Sequence, residues 1–306
     1  LLKKAVFSTP VLFRINMKKL LITGASGFLG WNLCQLAQQE WEVYGTYLSH
    51  SLNIPNINIL KVNLTDFQEI KEIFHQIQPA AVIHTAAQSQ PNFCQTHREE
   101  SHAINVEASS NIAGLCADYN IPCVFTSTDL VFDGLNAPYS ETDAVCPVNL
   151  YGEQKVMAEA AMLKRYPMTA VCRMPLMFGM ATPTATSFIQ PFMQTLKEGK
   201  ELKLFIDEFR TPVSGKTAAK GLLLALEKVN GIINLGGKER ISRFDFGKLL
   251  VEVFQLPSTN LKACRQQDVK MAAPRPSDVS LDSSQAFALG YEPLSVKEEL
   301  ETLVNG

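Results

Sequence analysis

Short apolar runs alternate with amphipathic stretches along most of the chain. Leu20-Leu21-Ile22 stops at Thr23, and five further strand-like runs follow at Glu42–Leu48, Ile57–Val62, Ala80–Thr85, Pro122–Ser127 and Thr169–Met174. Between them, helical spacing of apolar residues predicts helices over Phe28–Glu40, from Asp66 through Ile77, over Glu100–Tyr119, and from Asn149 to Arg165. Asp66 is placed to cap its helix, because a side-chain oxygen there satisfies free backbone N–H groups. Such regular alternation predicts an α/β fold with a parallel sheet covered on both faces. After Pro175 the alternation loosens: helix over Phe188–Glu198, an extended run over Leu202–Ile206, helix over Thr217–Lys228, and a strand over Gly231–Leu235. The amphipathic helix Phe244–Phe254 is expected to return to the sheet. Ala273–Pro276 breaks the chain before short helices over Leu281–Leu289 and Val296–Leu303. The pattern divides the chain into a dinucleotide-binding domain, 17–175 with 231–260, and a smaller α+β substrate domain, 176–230 with 261–306. There is no internal repeat or low-complexity tract.

The turn after the first apolar run carries candidate chemistry. Gly24, Gly27 and Gly30 stand in a G-x-x-G-x-x-G spacing between a strand and a helix. The first glycine permits a sharp turn, the second lets a pyrophosphate reach the backbone, and the third lets the helix pack against the strand. The helix N-terminus adds unpaired N–H groups and a partial positive charge. Gly24, Ser26, Gly27, Phe28, Leu29 and Gly30 are therefore candidate cofactor contacts; the plain alternative is a tight strand-to-helix turn. In a dinucleotide fold the tip of the second strand meets the adenosine ribose, where a carboxylate selects NAD. Here the tip is Thr46-Tyr47-Leu48-Ser49-His50, with no acid. The expectation is NADP(H), with NAD(H) as the alternative. Asn63 and Leu64 end the third strand as neighbours of the adenine. Ala86 and Ala87 end the fourth and let the backbone approach the cofactor. His84, inside that strand, reads as a packed core histidine. Gln88–Arg98 reads as a polar loop beyond a strand end, where ligands gather.

Composition narrows the field. The chain has 306 residues, 46% hydrophobic and 19% charged, with a formal net charge of -2. That balance offers no general attraction to nucleic acid or to an anionic membrane. No apolar run approaches the roughly 18–20 residues that span a bilayer. Seven scattered cysteines without a C-x-x-C pair suggest neither a disulfide framework nor a zinc site. They point to a reducing compartment, and a cytoplasmic location is expected. No metal site is assigned. Residues 1–16 carry a short apolar stretch broken by Pro10 and Arg14, with no small-residue cleavage site after it. They are expected to be a disordered leader outside the fold, with Met17 as the natural start.

Tyr151 and Lys155 stand four apart at the start of a predicted helix and so share one face. An ammonium beside a phenol favours the phenolate and lowers the phenol pKa from about 10. That would make the tyrosine a usable proton donor or acceptor near neutral pH. Thr128, at the end of the preceding strand, can hold a carbonyl oxygen beside it. Y-x-x-x-K alone is common and is compatible with a surface helix pair. Its order after the glycine turn and after Ser127-Thr128 gives it weight.

Together Gly24–Gly30, Ser127-Thr128-Asp129 and Tyr151-Gly152-Glu153-Gln154-Lys155 resemble an extended short-chain dehydrogenase/reductase. The runs STDLVFDG and NLYGEQK, with Arg275-Pro276-Ser277-Asp278, Leu281-Asp282 and Leu289-Gly290, are most similar to the dTDP-4-dehydrorhamnose reductase group. The resemblance covers about residues 18–291. It implies a Rossmann-type doubly wound sheet and hydride transfer between a nicotinamide and a nucleotide-sugar carbonyl. It makes Tyr151 the proton donor, Lys155 the group that lowers its pKa and holds the nicotinamide ribose, and Thr128 the carbonyl-positioning hydroxyl. Asn105 matches a structural asparagine beside the cofactor. Gln88, Thr128, Asp129, Leu130 and Leu176 fall on the substrate side. Two positions depart from the group: Leu130 and Leu176 stand where aromatic residues contact the sugar. Arg210 could face a nucleotide phosphate or lie solvated on the surface. A nucleotide-sugar 4-keto reductase, monomeric or homodimeric, is the first reading. A cofactor-binding regulatory subunit resembling the methionine adenosyltransferase β subunit, and a nucleotide-sugar epimerase or dehydratase, are the alternatives.

Overall fold

The computed structural model describes residues 17–305, so the leader reading for 1–16 falls outside the described residues. The first part of the chain runs β1 (Lys19–Thr23), α1 (Phe28–Ala37), β2 (Glu42–Tyr47), β3 (Asn58–Lys61), α2 (Phe67–Ile77), β4 (Ala81–His84), α3 (Pro91–Thr96), α4 (Arg98–His102), α5 (Ala108–Tyr119), β5 (Cys123–Thr128), α6 (Leu150–Arg165) and β6 (Ala170–Met174). The second part runs β7 (Met177–Phe178), α7 (Ile189–Lys197), β8 (Leu202–Phe205), β9 (Phe209–Arg210), β10 (Val213–Ser214), α8 (Gly215–Lys228), β11 (Gly231–Asn234), β12 (Ile241–Ser242), α9 (Arg243–Val253), β13 (Leu261–Cys264), α10 (Ser284–Ala288) and α11 (Val296–Asn305).

Seven strands form one sheet in the order β11-β6-β5-β4-β1-β2-β3, every pair parallel. This is a Rossmann-type doubly wound sheet. Strand faces alternate as the two-residue period requires. Leu20 and Ile22 face a core shared with Leu29 and Leu33 of α1 and Ala218 and Leu222 of α8. Leu21 between them faces the opposite core, with Phe74 of α2, Ile112 of α5 and Met162 of α6. The sheet is therefore buried on both sides, which is why its strands read as continuous apolar runs. Strand order reverses between β1 and β4, so the crevice for a ligand lies outside the carboxyl ends of those two strands.

Several expectations shift. The helix Phe244–Phe254 does not return to the sheet. It forms as α9, and Phe246 and Leu250 pack with Phe178, Leu196, Leu202 and Leu204 in a third core belonging to the smaller lobe. Its apolar face matches that lobe because β8 and β13 pair beneath it. Conversely α8, expected in the smaller lobe, covers the sheet beside α1. As the crossover from β10 it delivers β11 alongside β6. The stretch Gln88–Arg98 is a short helix rather than a loop, opened by Pro91 at a position that needs no N–H. The helix expected over Glu100–Tyr119 forms in two parts joined by a π-type turn at Ala103–Glu107.

Asp66 caps α2 as expected, its Oδ1 accepting from the amides of Gln68 at 2.8 Å and Glu69 at 3.2 Å. Asp66→Ala should lower stability by about 1 kcal/mol, read as a lower urea midpoint with an unchanged slope.

Candidate active site

The glycine turn is built by close backbone approach. Gly24 sits at φ +75°, and a side chain there would stand 2.8 Å from the backbone of Ala86. A Cβ on Gly30 would lie 2.1 Å from the Gly24 carbonyl oxygen. Gly27 opens α1 without a side-chain cap, and no acidic residue occupies the first turn. The first N–H groups of α1 therefore face outward beside a partial positive charge. A nucleotide pyrophosphate fits such a cradle. Ser26 and Phe28 lie at its mouth. The Ser26 carbonyl accepts from Thr184 Oγ1 at 2.7 Å, and the Phe28 ring packs against Gly179 and Gly215. Leu29 points into the core and borders the cradle by its backbone. Ala86 donates its amide to Thr23 Oγ1 at 3.3 Å, with Ala87 next in line. Asn63 and Leu64 follow β3, the edge strand of the sheet; Asn63 Oδ1 accepts from the amide and hydroxyl of Thr65 at 3.1 and 2.8 Å. Beyond β2, Ser49 and His50 are exposed and hydrogen-bonded to each other at 3.1 Å.

Below the cradle, His84 is a core residue as expected. Its ring joins Thr23 Oγ1 at 2.6 Å and Ser109 Oγ at 3.0 Å, and burial, with Lys155 nearby, lowers its pKa to about 3. It stays neutral. Asn105 lies in the π-type turn, a distortion often found at functional sites. Its side chain accepts from the Gln88 amide at 2.9 Å and donates to the Gln88 carbonyl at 3.1 Å and to Gln154 Oε1 at 2.9 Å. Asn105 thus shapes the chain after β4 and ties it to α6.

α6 carries the candidate catalytic pair. Asn149 caps it through the Gly152 amide at 3.0 Å. Gly152 is required here: a Cβ would lie 2.2 Å from the carbonyl oxygen of Leu130. This contact presses the start of α6, with Tyr151, against the turn that follows Thr128. Lys155 is 1% exposed. Its Nζ donates to the Thr126 carbonyl at 2.5 Å and stands 4.0 Å from the centre of the Phe125 ring. Burial lowers its pKa to about 7, against the opposing pull of Glu159. Tyr151 differs from expectation. Burial, Asp129 and Cys94 push its phenol above the usual value, and only a hydrogen bond with Thr128 opposes them. The Lys155 ammonium is turned to the Thr126 carbonyl, so the expected lowering is not seen. The phenol holds its proton at neutral pH, which suits a donor rather than a base.

Arg210 is neither solvated nor free. It is 6% exposed, with Nε 3.5 Å from Asp129 Oδ2 and Nη2 3.6 Å from Glu208 Oε1. Arg243 joins Glu208 at 3.1 Å. Burial raises the Asp129 pKa to about 6, with Arg210 pulling the other way. Leu130 lies on the turn beside this network, and Leu176 accepts from the Val213 amide at 3.2 Å at the start of the smaller lobe. A second buried pair was not foreseen. Glu159 accepts from Arg173 and from Ser127. Its place eight residues after Tyr151, on the same helix stripe, was the available signal.

The sequence model of the RmlD substrate binding domain matches residues 17–306. The chain belongs to that family. With it, the chain falls among the NAD(P)-dependent oxidoreductases of the extended short-chain dehydrogenase/reductase superfamily. Within this family the fold is similar to the crystal structure of a hypothetical dTDP-4-dehydrorhamnose reductase from Sulfolobus tokodaii. That likeness has 32% identity and a TM-score of 0.81, covering 91% of this chain and 98% of the other. The methionine adenosyltransferase 2 subunit beta of Xenopus laevis is 30% identical over 284 residues, covering 90% of this chain and 84% of its own. The probable low-salt glycan biosynthesis reductase Agl14 of Haloferax volcanii is 29% identical over 288 residues, covering 92% and 96%. Among the described residues no helix is long and apolar enough to cross a membrane.

Gly30→Ala tests the cradle. The added methyl group cannot fit against the Gly24 carbonyl, so α1 must move. Fluorescence titration should show NADPH binding weakened about tenfold or more, since one misplaced turn loses several phosphate contacts.

Proposed function

We propose that this protein reduces the 4-keto group of a nucleotide-sugar, with NADPH as the preferred reductant and NADH as the alternative. The observation that carries the reading is the meeting of Thr128, a protonated Tyr151 and a buried Lys155 beside an anion cradle at the strand ends. The preference for NADPH rests on the acid-free tip of β2. Gly24, Ser26, Gly27, Phe28, Leu29, Gly30, Asn63, Leu64, Ala86, Ala87 and Asn105 would surround the cofactor.

In this reading Thr128 and Tyr151 hold the substrate carbonyl oxygen. A nicotinamide held beside them would supply the hydride that the carbonyl carbon takes. As negative charge grows on the oxygen, Tyr151 donates its phenolic proton, and a secondary alcohol results. The Lys155 ammonium, held by the Thr126 carbonyl in this structure, would hold the nicotinamide ribose and turn to the phenolate left behind. Gln88, Asp129, Leu130, Leu176 and, through Asp129, Arg210 line the sugar side. Leu130 and Leu176 offer aliphatic surfaces, which favours a sugar other than dTDP-4-dehydrorhamnose.

A regulatory-subunit reading draws on the Xenopus laevis relative. It calls for tight NADPH binding, no turnover on any nucleotide-sugar, and co-purification with a partner enzyme. An NADPH-oxidation screen over 4-keto nucleotide-sugars separates the two. An epimerase or dehydratase would convert substrate without net cofactor consumption.

Tyr151→Phe should lower kcat/KM by about 10²–10⁴-fold while NADPH binding is retained; normal turnover in this variant sinks the mechanism. Lys155 is charged below its pKa of about 7. Turnover should therefore fall as pH rises through that value, and a rate that keeps rising to pH about 9 would contradict the role given to the ammonium.

A further inference from the structure

Tyr151, Lys155 and Glu159 are spaced four residues apart and form one stripe of α6. The third member of the stripe has no part in the chemistry described above. Glu159 is 4% exposed and Arg173 is 3% exposed. Their ion pair is two-pronged: Arg173 Nε donates to Glu159 Oε1 at 3.2 Å and Nη2 to Oε2 at 3.0 Å. Ser127 Oγ donates to the same Oε1. Ser127 and Arg173 are themselves paired across β5 and β6. Arg173 also donates to the Glu141 carbonyl at 3.4 Å, and its guanidinium stands 5.0 Å from the centre of the Phe132 ring.

One carboxylate thus joins α6 to two neighbouring strands, one residue before Thr128. We propose that Glu159 is a positioning residue of the redox centre. Held by Arg173 and Ser127, it fixes the Tyr151–Lys155 stripe against the end of β5 and acts on the cofactor through Lys155. This rests on the reading that Lys155 holds the nicotinamide ribose.

The electrostatics agree with the geometry. Lys155 faces the Phe125 ring and Thr126 carbonyl from β5, neutral His84 from β4, the Cys94 thiol from α3, and Glu159 on its own helix. Burial raises the Cys94 thiol above its usual value, so it is no anion at neutral pH. Glu159 is the leading influence that favours the Lys155 ammonium against burial. A buried ion pair replaced as a unit by neutral groups of like shape is often tolerated, whereas removing one partner strands a charge. That difference separates positioning of Lys155 from simple anchoring of the helix.

The test is the pH dependence of NADPH affinity, by fluorescence titration, in wild-type protein, Lys155→Met, Glu159→Gln and the double variant Glu159→Gln/Arg173→Gln. The double variant guards against misfolding of the single one, and its melting curve is taken alongside. Wild-type affinity should fall as pH rises through about 7, and Lys155→Met should remove that step. Folded Glu159→Gln should bind NADPH with its midpoint displaced to lower pH by about half a unit or more, and about threefold or more weaker at neutral pH; the double variant, which removes a cation together with the anion, should show a smaller displacement in the same direction. A wild-type midpoint in Glu159→Gln, or in the double variant where the single one does not fold, with the step absent in Lys155→Met, overturns the role of Glu159 alone. A step that persists unchanged in Lys155→Met overturns the contact between Lys155 and the cofactor, and this inference with it.

Discussion

Everything at the site hangs on how closely three pieces of backbone approach one another at the point where strand order reverses. The end of β1, the first turn of α1 and the chain leaving β4 meet at distances that leave no room for a Cβ on Gly24 or Gly30. Dispersion alone does not bring bare backbone so near; the glycines permit it and the two apolar layers of the sheet enforce it. Leu20 and Ile22 hold β1 against α1 and α8, while Leu21 holds it against α2 and α5. With the strand fixed from both faces, the free amides of α1 point at one place. A similar contact recurs at Gly152, where the start of α6 is pressed against the carbonyl of Leu130. Two glycine-permitted approaches therefore set the two halves of the site.

The charges are arranged on the same scaffold. Parallel strands end on one edge, so Thr23, His84 and Thr128 come to that edge together. α6 then brings a phenol and an ammonium over them. Both are buried, and burial favours the neutral form of each. The outcome is a tyrosine that keeps its proton and a lysine poised near neutrality, a pairing suited to giving a proton to an oxygen as it gains charge. The ion network of Asp129, Arg210, Glu208 and Arg243 adjoins them, Asp129 following Thr128 directly and bearing on Tyr151.

Most of the sheet was legible in the sequence because each of its strands is a short apolar run bounded by turn residues, and α2 because Asp66 caps it. The glycine turn and the candidate trio Thr128, Tyr151 and Lys155 could be singled out in the sequence by their spacing, and the structure brings them to the same edge of the sheet. Other features were not. The amphipathic face of α9 fits a sheet or a smaller lobe equally well, and only the pairing of β8 with β13 decides between them. Arg210 reads as a surface residue until its partners, far apart in sequence, are brought beside it. The direction of the Tyr151 shift depends on where the Lys155 ammonium points, which spacing on a helix does not fix. The π-type turn at Asn105 depends on bonds to Gln88 and Gln154, neither of them neighbours in sequence.

The Phe28 ring has a mechanical consequence. It stands at the first helical residue of the candidate phosphate cradle and lies against Gly179, which follows β7, and Gly215, which opens α8. Neither carries a side chain that could yield. The ring is thus wedged between α1, the chain after β7 and the start of α8. A displacement of the first turn of α1 must therefore shift the ring or the backbone at these two glycines. Thr184, bonded to the carbonyl of Ser26, ties the chain after β7 to the same turn.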